Sequence, residues 1–259
     1  MPIITLISDW GYKDPYLASV KGTILKQLPE AVIVDISHDI PPFDINQASF
    51  ILKNSYKAFP PKTIHIIAIN SEASIETPHT VVEYDEHFFI GADNGIFPLV
   101  MDGEPTKIVE LEIFQDSDYF TFSSRDVFVK AAIHIANTGK PEDLGSIKTK
   151  LNERISFIPV VDEDIIRGKV IYIDSFENLI TNITEKQFNK LRNGKKFKIT
   201  FRTPGYVIDT ICDSYSDVPA GEMLAIFGST GFLEIAMNKG NASSLLGMDL
   251  DEIVRVEFK

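Results

Sequence analysis

Short apolar runs alternate with helical patterns through the first 70 residues, and this alternation restricts the possible folds more than any other feature. Ile3 to Ile7, Ala31 to Ile36, Thr63 to Ile69 and Phe88 to Gly91 are β-branched or aromatic runs bounded by Pro, Gly, Asp or Asn, the pattern of buried strands. Between the first two, Tyr16 to Leu28 places Leu17, Val20, Ile24 and Leu28 on one side and lysines elsewhere. Ile45 to Tyr56 puts Ile45, Ala48, Ile51 and Leu52 on a single helical face. Strand, helix, strand, helix, strand predicts right-handed crossovers and a mainly parallel sheet. A third helix is expected over Arg125 to Thr138, stopped by Gly139 with Pro141 beyond.

After Asp162 the pattern changes to strands joined by polar turns: Lys169 to Ile173, Lys196 to Arg202, Met223 to Phe227, Leu233 to Ala236 and Ile253 to Phe258. Helical signal there is confined to Glu185 to Leu191. The expected class is therefore α/β: an N-terminal, mostly parallel α/β sandwich over residues 1–160 and a smaller β-barrel over 161–259, with a hinge near Val160 to Asp164. A net charge of -12 argues against a nucleic-acid partner or an anionic membrane surface, both of which need a basic face. The basic stretch Lys190 to Lys198 reads as a solvated loop and strand edge. Cys212 is the sole cysteine, so no internal disulfide and no cysteine metal cluster can form, which fits a reducing, cytoplasmic setting. The opening Met1-Pro2-Ile3-Ile4-Thr5 lacks signal-peptide features, and no apolar stretch is long enough to span a bilayer.

Several apolar runs end in polar clusters, and ligands of open α/β sheets sit at the carboxyl ends of strands. The first cluster is Ser8-Asp9-Trp10-Gly11-Tyr12-Lys13-Asp14. Asp93-Asn94-Gly95, Ser123-Ser124-Arg125-Asp126, Phe176-Glu177-Asn178 and Gly228-Ser229-Thr230-Gly231 follow the same rule. Taken singly, each has a plainer reading: Asp9 as a helix cap, Asn178 as a turn residue, and Phe43, Phe176 and Tyr215 as core. His38, between a strand and two prolines, suits a structural hydrogen bond as well as a base.

Taken together and in order, these residues resemble the S-adenosyl-L-methionine hydroxide adenosyltransferases, a family that includes fluorinating and chlorinating enzymes. The resemblance runs almost end to end. It is carried by Ser8-Asp9-Trp10-Gly11 with Asp14, Val20-Lys21-Gly22, Val34 to Pro42, Asp93-Asn94-Gly95, Thr121-Phe122 with Arg125-Asp126, Thr181-Asn182-Ile183, and Gly228-Ser229 with Gly231 to Ala236. It implies a homotrimer with ligand sites between neighbouring subunits, S-adenosyl-L-methionine as substrate, and neither cofactor nor metal. The nucleophile then attacks the ribose carbon on the sulfonium, in line with departing methionine, and water gives adenosine. On this resemblance Asp9 would accept both ribose hydroxyls, and Asp14 and Asp174 would face the methionine ammonium. Phe43 would flank the sugar or base, Asn178 would read the adenine edge, and Phe176 and Tyr215 would supply apolar surface. Ser229 would hold the methionine carboxylate, and Thr230 stands where the fluorinating relatives place arginine.

The chain departs from the family at the nucleophile pocket. The aspartate, arginine and histidine of the water-using members correspond to Asn70, Thr77 and Ser123, and the segment Asn70 to Thr77 lacks the family's glycines. Glu72, Glu76 and His79 lie nearby as substitutes. Ser124 matches the halide-gripping serine of the fluorinating enzymes, whereas their tyrosine and threonine correspond to Asn70 and Ala73. The leading expectation is slow transfer of the adenosyl group to water, with Asn70, Ser123 and Ser124 lining the nucleophile pocket. The alternatives are a nucleoside-binding module without turnover and a halide-using transferase.

Overall fold

The computed structural model describes residues 1–115, 121–154, 158–201 and 205–259, and divides into two compact units, Met1–Ile155 and Ser156–Lys259. The first unit runs β1 (Ile3–Ser8), α1 (Tyr16–Gln27), β2 (Val32–Ser37), α2 (Ile45–Lys53), β3 (Ile64–Ala68), β4 (His79–Tyr84), β5 (His87–Ala92), α3 (Ile96–Val100), β6 (Lys107–Leu111), α4 (Val129–Thr138) and β7 (Gly145–Lys148). Its strands form one sheet in the order β2-β1-β3-β5-β4-β6-β7. From β2 to β5 the neighbours are parallel, as the alternation predicts, and from β5 to β7 they are antiparallel.

Helices cover both faces. Leu17, Val20 and Ile24 of α1 pack with Ala131, Ala132 and Ile135 of α4 on one side, while Ile45, Ala48 and Leu52 of α2 join Ile96, Phe97 and Val100 of α3 on the other. Local chemistry sets the ends of these helices. Asp44 caps α2 by accepting from the Asn46 and Gln47 amides, and α4 stops at Gly139, whose φ is 67°. The pattern expected to continue to Tyr56 breaks after Lys53, and Tyr56–Ala58 forms a separate 3-10 turn.

The second unit contains β8 (Val160–Asp162), β9 (Ile165–Ile173), β10 (Leu179–Thr184), α5 (Glu185–Arg192), β11 (Phe197–Thr200), β12 (Val207–Ile208), β13 (Ile211–Cys212), β14 (Met223–Phe227), β15 (Phe232–Met237), α6 (Ala242–Leu246) and β16 (Ile253–Phe258). The sheet order is β12-β11-β16-β9-β10-β15-β14-β13, with β8 added to β9. Its two edges, β12 and β13, are separated by only Asp209 and Thr210 in the chain, so the sheet curls into a nearly closed barrel. Phe188 from α5, held by the Thr184–Gln187 capping box, fills the interior with Phe197, Phe258, Leu233 and Ile235. Val160 to Asp164, expected as a hinge, belongs to the β8–β9 hairpin, and Arg202 of the strand expected to end there lies outside the described residues. Among the described residues no helix is long and apolar enough to cross a membrane.

A chain of polar groups runs through the first unit's core. Thr5 Oγ1 meets His65 Nδ1 at 2.7 Å, and His65 Nε2 meets His87 Nδ1 at 3.1 Å. Burial, then the neighbouring His87, pushes His65 down to about 3, and burial lowers His87 as well. Both imidazoles are therefore folded in the neutral form, and only the unfolded chain takes up their protons below its ordinary value near 6.5. Their contribution to stability is full above that value and is lost as the pH falls toward 3. We predict an unfolding midpoint that drops steadily from pH 7 to pH 4, and a flatter profile for His65→Phe, measured by denaturant titration at each pH.

Candidate ligand-binding edge

In the first unit the chain leaves β1 for β2 on one side, then crosses to β3 on the other, so the carboxyl ends of β1 and β3 flank a topological switch point. Asp9 follows β1 and Asn70 follows β3. Asp9 does not cap α1, whose first turn begins after Pro15 without a side-chain cap among the described residues. Instead Asp9 Oδ2 accepts the Phe43 amide at 2.9 Å, joining the loop after β1 to the loop after β2. Two further links reinforce that joint: the Gly11 amide donates to the His38 carbonyl at 2.8 Å, and Ser8 Oγ lies 2.6 Å from His38 Nδ1. His38 is fully buried, and its Nε2 lies 3.1 Å from Asp35 Oδ1, beside Lys21. The structural reading of His38 is the one the contacts support.

Phe43 sits at φ 66° with 70% of its surface exposed. A left-handed phenylalanine that buries little is a strained, solvent-facing aromatic, the arrangement expected of a residue kept for contact rather than packing. Asp14 is exposed on the β1 loop.

Other family positions of the first unit lie on segments that pack together. Trp10 packs edge-on against Phe122 at 5.7 Å and Tyr16 does so at 5.5 Å, which brings the Asp9 loop beside Ser123 and Ser124. Both serines are buried, and Ser124–Phe128 is a π-helical turn leading into α4, a distortion common at functional sites. Ser124 Oγ donates to Ser71 Oγ at 3.1 Å, joining the segment after β3 to this turn. Asn70 is exposed at φ 45°, and its carbonyl, with that of Ile69, accepts from Asn94 Nδ2. Asn152 fastens the far end by donating to the Glu76 carbonyl and to Asp93, whose carboxyl is fully buried and raised by that burial. Asp93-Asn94-Gly95 is thus a clamp on the 70–77 segment. Thr77 is turned into its own loop, 2.8 Å from Ser74 Oγ, and Glu72 and Glu76 are exposed.

The second unit assembles its own set. Asp174 organises the β9–β10 turn: Oδ1 accepts the Phe176 and Asn178 amides at 2.9 and 2.8 Å, and Oδ2 accepts Asn178 Nδ2 at 3.0 Å. That turn buries Asn178 and projects Phe176 at 75% exposure. Tyr215 donates its hydroxyl to Glu234 Oε1 at 2.7 Å. Glu234 lies beside Gly228, at the base of the turn that carries Ser229 and Thr230. Burial and then the Glu234 bond push the Tyr215 phenol up to about 12, while burial raises the Glu234 carboxyl and the nearby Asp174 charge adds to this.

Both units match one family. The SAM hydroxide adenosyltransferase N-terminal domain matches residues 4–145 and the C-terminal domain residues 168–255. The chain belongs to the SAM hydroxide adenosyltransferases. Among its relatives, the (R)-S-adenosyl-L-methionine hydrolase of Methanocaldococcus jannaschii is 31% identical over 98% of this chain and 95% of its own length. The protein of the same name from Thermus thermophilus is 28% identical over 95% of each chain. An uncharacterised conserved protein from Thermotoga maritima has a solved structure that superposes with a TM-score of 0.89, at 28% identity, covering 98% of this chain and 99% of that one.

Sequence reasoning misses Ser71, reaches Glu234 only as part of the Gly231 to Ala236 run, and reaches His79 only as a nearby substitute. Glu234 did carry a readable signal, a charge amid the apolar residues Leu233, Ile235 and Ala236 of one strand. Two outcomes test the geometry. Phe43→Gly removes the left-handed strain, roughly 1–2 kcal/mol, against a smaller loss of backbone freedom, so thermal unfolding should show a net gain of up to about 1 kcal/mol. Asp174→Ala should strip hydrogen-exchange protection from the Phe176 and Asn178 amides while leaving the first unit's amides unchanged.

Proposed function

We propose that the protein hydrolyses S-adenosyl-L-methionine to adenosine and L-methionine, with water attacking the ribose 5' carbon in line with the departing sulfur. One observation carries the reading: the Asp9–Phe43 joint stands at the switch point of a sheet that belongs, with the barrel, to a family whose relatives bear the hydrolase name. A carboxylate there suits the two ribose hydroxyls, and Phe43 offers an aromatic face beside them. In the second unit, Asn178 reads the adenine edge, Phe176 and Tyr215 supply apolar surface, Asp174 draws the ammonium, and Ser229 beside Thr230 holds the methionine carboxylate, while Asp14 of a neighbouring subunit's first unit adds a second charge facing the ammonium. The departing thioether needs no proton, so alignment and exclusion of solvent supply the rate enhancement.

The reaction so proposed uses no cofactor or metal, and the substrate is the only small-molecule partner. We place it in a cytoplasmic homotrimer with no nucleic-acid or membrane partner, consistent with the net charge of -12. Sedimentation equilibrium tests the assembly, with a mass three times that of the chain as the expected result.

Incubation with both sulfonium epimers of the substrate, followed by chromatography, should show adenosine and methionine in equal amounts. Absence of adenosine above background overturns hydrolysis, and tight adenosine binding without turnover would select a binding module. Asp9→Ala should weaken nucleoside affinity by about 1 to 3 kcal/mol, the worth of a hydrogen bond to a charged group, as read by calorimetry.

A further inference from the structure

The family's acid, base and cation positions carry Asn70, Thr77 and Ser123, yet a different trio meets next to them. Ser71 stands at its centre. Its hydroxyl accepts from Ser124 Oγ at 3.1 Å, and its carbonyl accepts from His79 Nε2 at 3.0 Å. His79 opens β4 and packs edge-on against Phe128 of the π turn at 4.9 Å, and burial lowers its pKa below the ordinary value, partly offset by the Ser71 bond. Donation from Nε2 fixes the tautomer. The imidazole thus ties the segment after β3 to the helical turn carrying Ser124.

We propose that the Ser71 and Ser124 hydroxyls hold the water that attacks the sulfonium-bearing carbon, and that His79 is the positioning residue that fixes Ser71 through its carbonyl. The proposal rests on the hydrolysis reading above and names the residues that replace the missing triad. Because the Ser71 hydroxyl accepts from Ser124, its own O–H remains to donate, and Ser124 Oγ keeps lone pairs to accept a water hydrogen. Two neutral hydroxyls suffice for this chemistry. The water oxygen bonds to the 5' carbon as the carbon–sulfur bond breaks with its electron pair on sulfur. The resulting protonated alcohol, a strong acid, then gives its proton to solvent.

The test uses the full chain and measures kcat and KM for S-adenosyl-L-methionine, with calorimetric binding of adenosine as the check on folding. Ser71→Ala and Ser124→Ala should each lower kcat tenfold or more with KM within twofold of wild type. His79→Ala should do the same, and His79→Gln, which keeps an N–H donor for the Ser71 carbonyl, should recover at least half of the lost activity. Wild-type kcat should stay flat from pH 6 to 9, since donation from Nε2 persists in both charge states of the ring. Serine variants within twofold of wild type would overturn the proposal alone, as would His79→Gln no better than His79→Ala, or a kcat that falls as the pH is lowered from 9 to 6. A wild-type protein that makes no adenosine overturns the hydrolysis reading and this proposal with it.

Discussion

The hydrogen bond from the Phe43 amide to Asp9 is the contact on which the candidate edge depends. β1 lies between β2 and β3, and the loops that follow all three emerge at one edge of the sheet. Loops of this kind are free to drift unless something other than the strand ladder fixes them. Here Asp9 accepts from Phe43, Gly11 donates to His38, and His38 is anchored from below by Ser8 and faced by Asp35. The joint also holds Phe43 in a backbone conformation that an L-residue adopts only at a cost of roughly 1–2 kcal/mol. Asp44, the next residue, caps α2, so helix and joint together hold that strained position.

The barrel achieves the same end with different means. A carboxylate, Asp174, takes the place of a backbone tie and gathers three donors from one turn, so that Phe176 is pushed outward while Asn178 is drawn in. Glu234 repeats the device on the adjacent strand, where it is almost wholly buried and accepts from Tyr215. A buried carboxyl costs free energy even when it is hydrogen-bonded, and a hydrophobic residue on β15 would pack there at less cost. Glu234 alternates with the interior residues Leu233 and Ile235, so its carboxyl lies on the opposite face of β15, where Tyr215 meets it.

Much of this was legible in the sequence wherever apolar spacing and turn chemistry agreed. The parallel half of the first sheet, α1, α2, the Gly139 stop and the barrel strands all carry such signals. The antiparallel half does not. β4 and β5 are joined through Asp85 and Glu86, both at positive φ, without the glycine or asparagine that usually betrays a tight hairpin. The Val160 to Asp164 connector read as a hinge because its exposed, acidic composition resembles a linker, whereas backbone pairing to β9 decides its structure. His65 and His87 were invisible for a related reason. Their role depends on a lateral pairing between β3 and β5 that no local pattern encodes.

Around the segment after β3 the sequence singles out Asn70, Ser123, Ser124 and His79, and the structure adds Ser71, which meets two of them. Asn70 gives its backbone carbonyl to Asn94, and the hydroxyl of the next residue, Ser71, accepts from Ser124. Thr77 closes a turn on Ser74, and two residues later His79 reaches back to Ser71. A glycine-rich segment can bend to bring its own side chains or backbone to a ligand, whereas Asn70 to Thr77 is stapled at both ends by Asn94 and Asn152 and bulges into solvent between them. Ser71, beside the first staple, and His79, just past the second, are the residues of this stretch that hydrogen bonds and ring packing hold against the π turn.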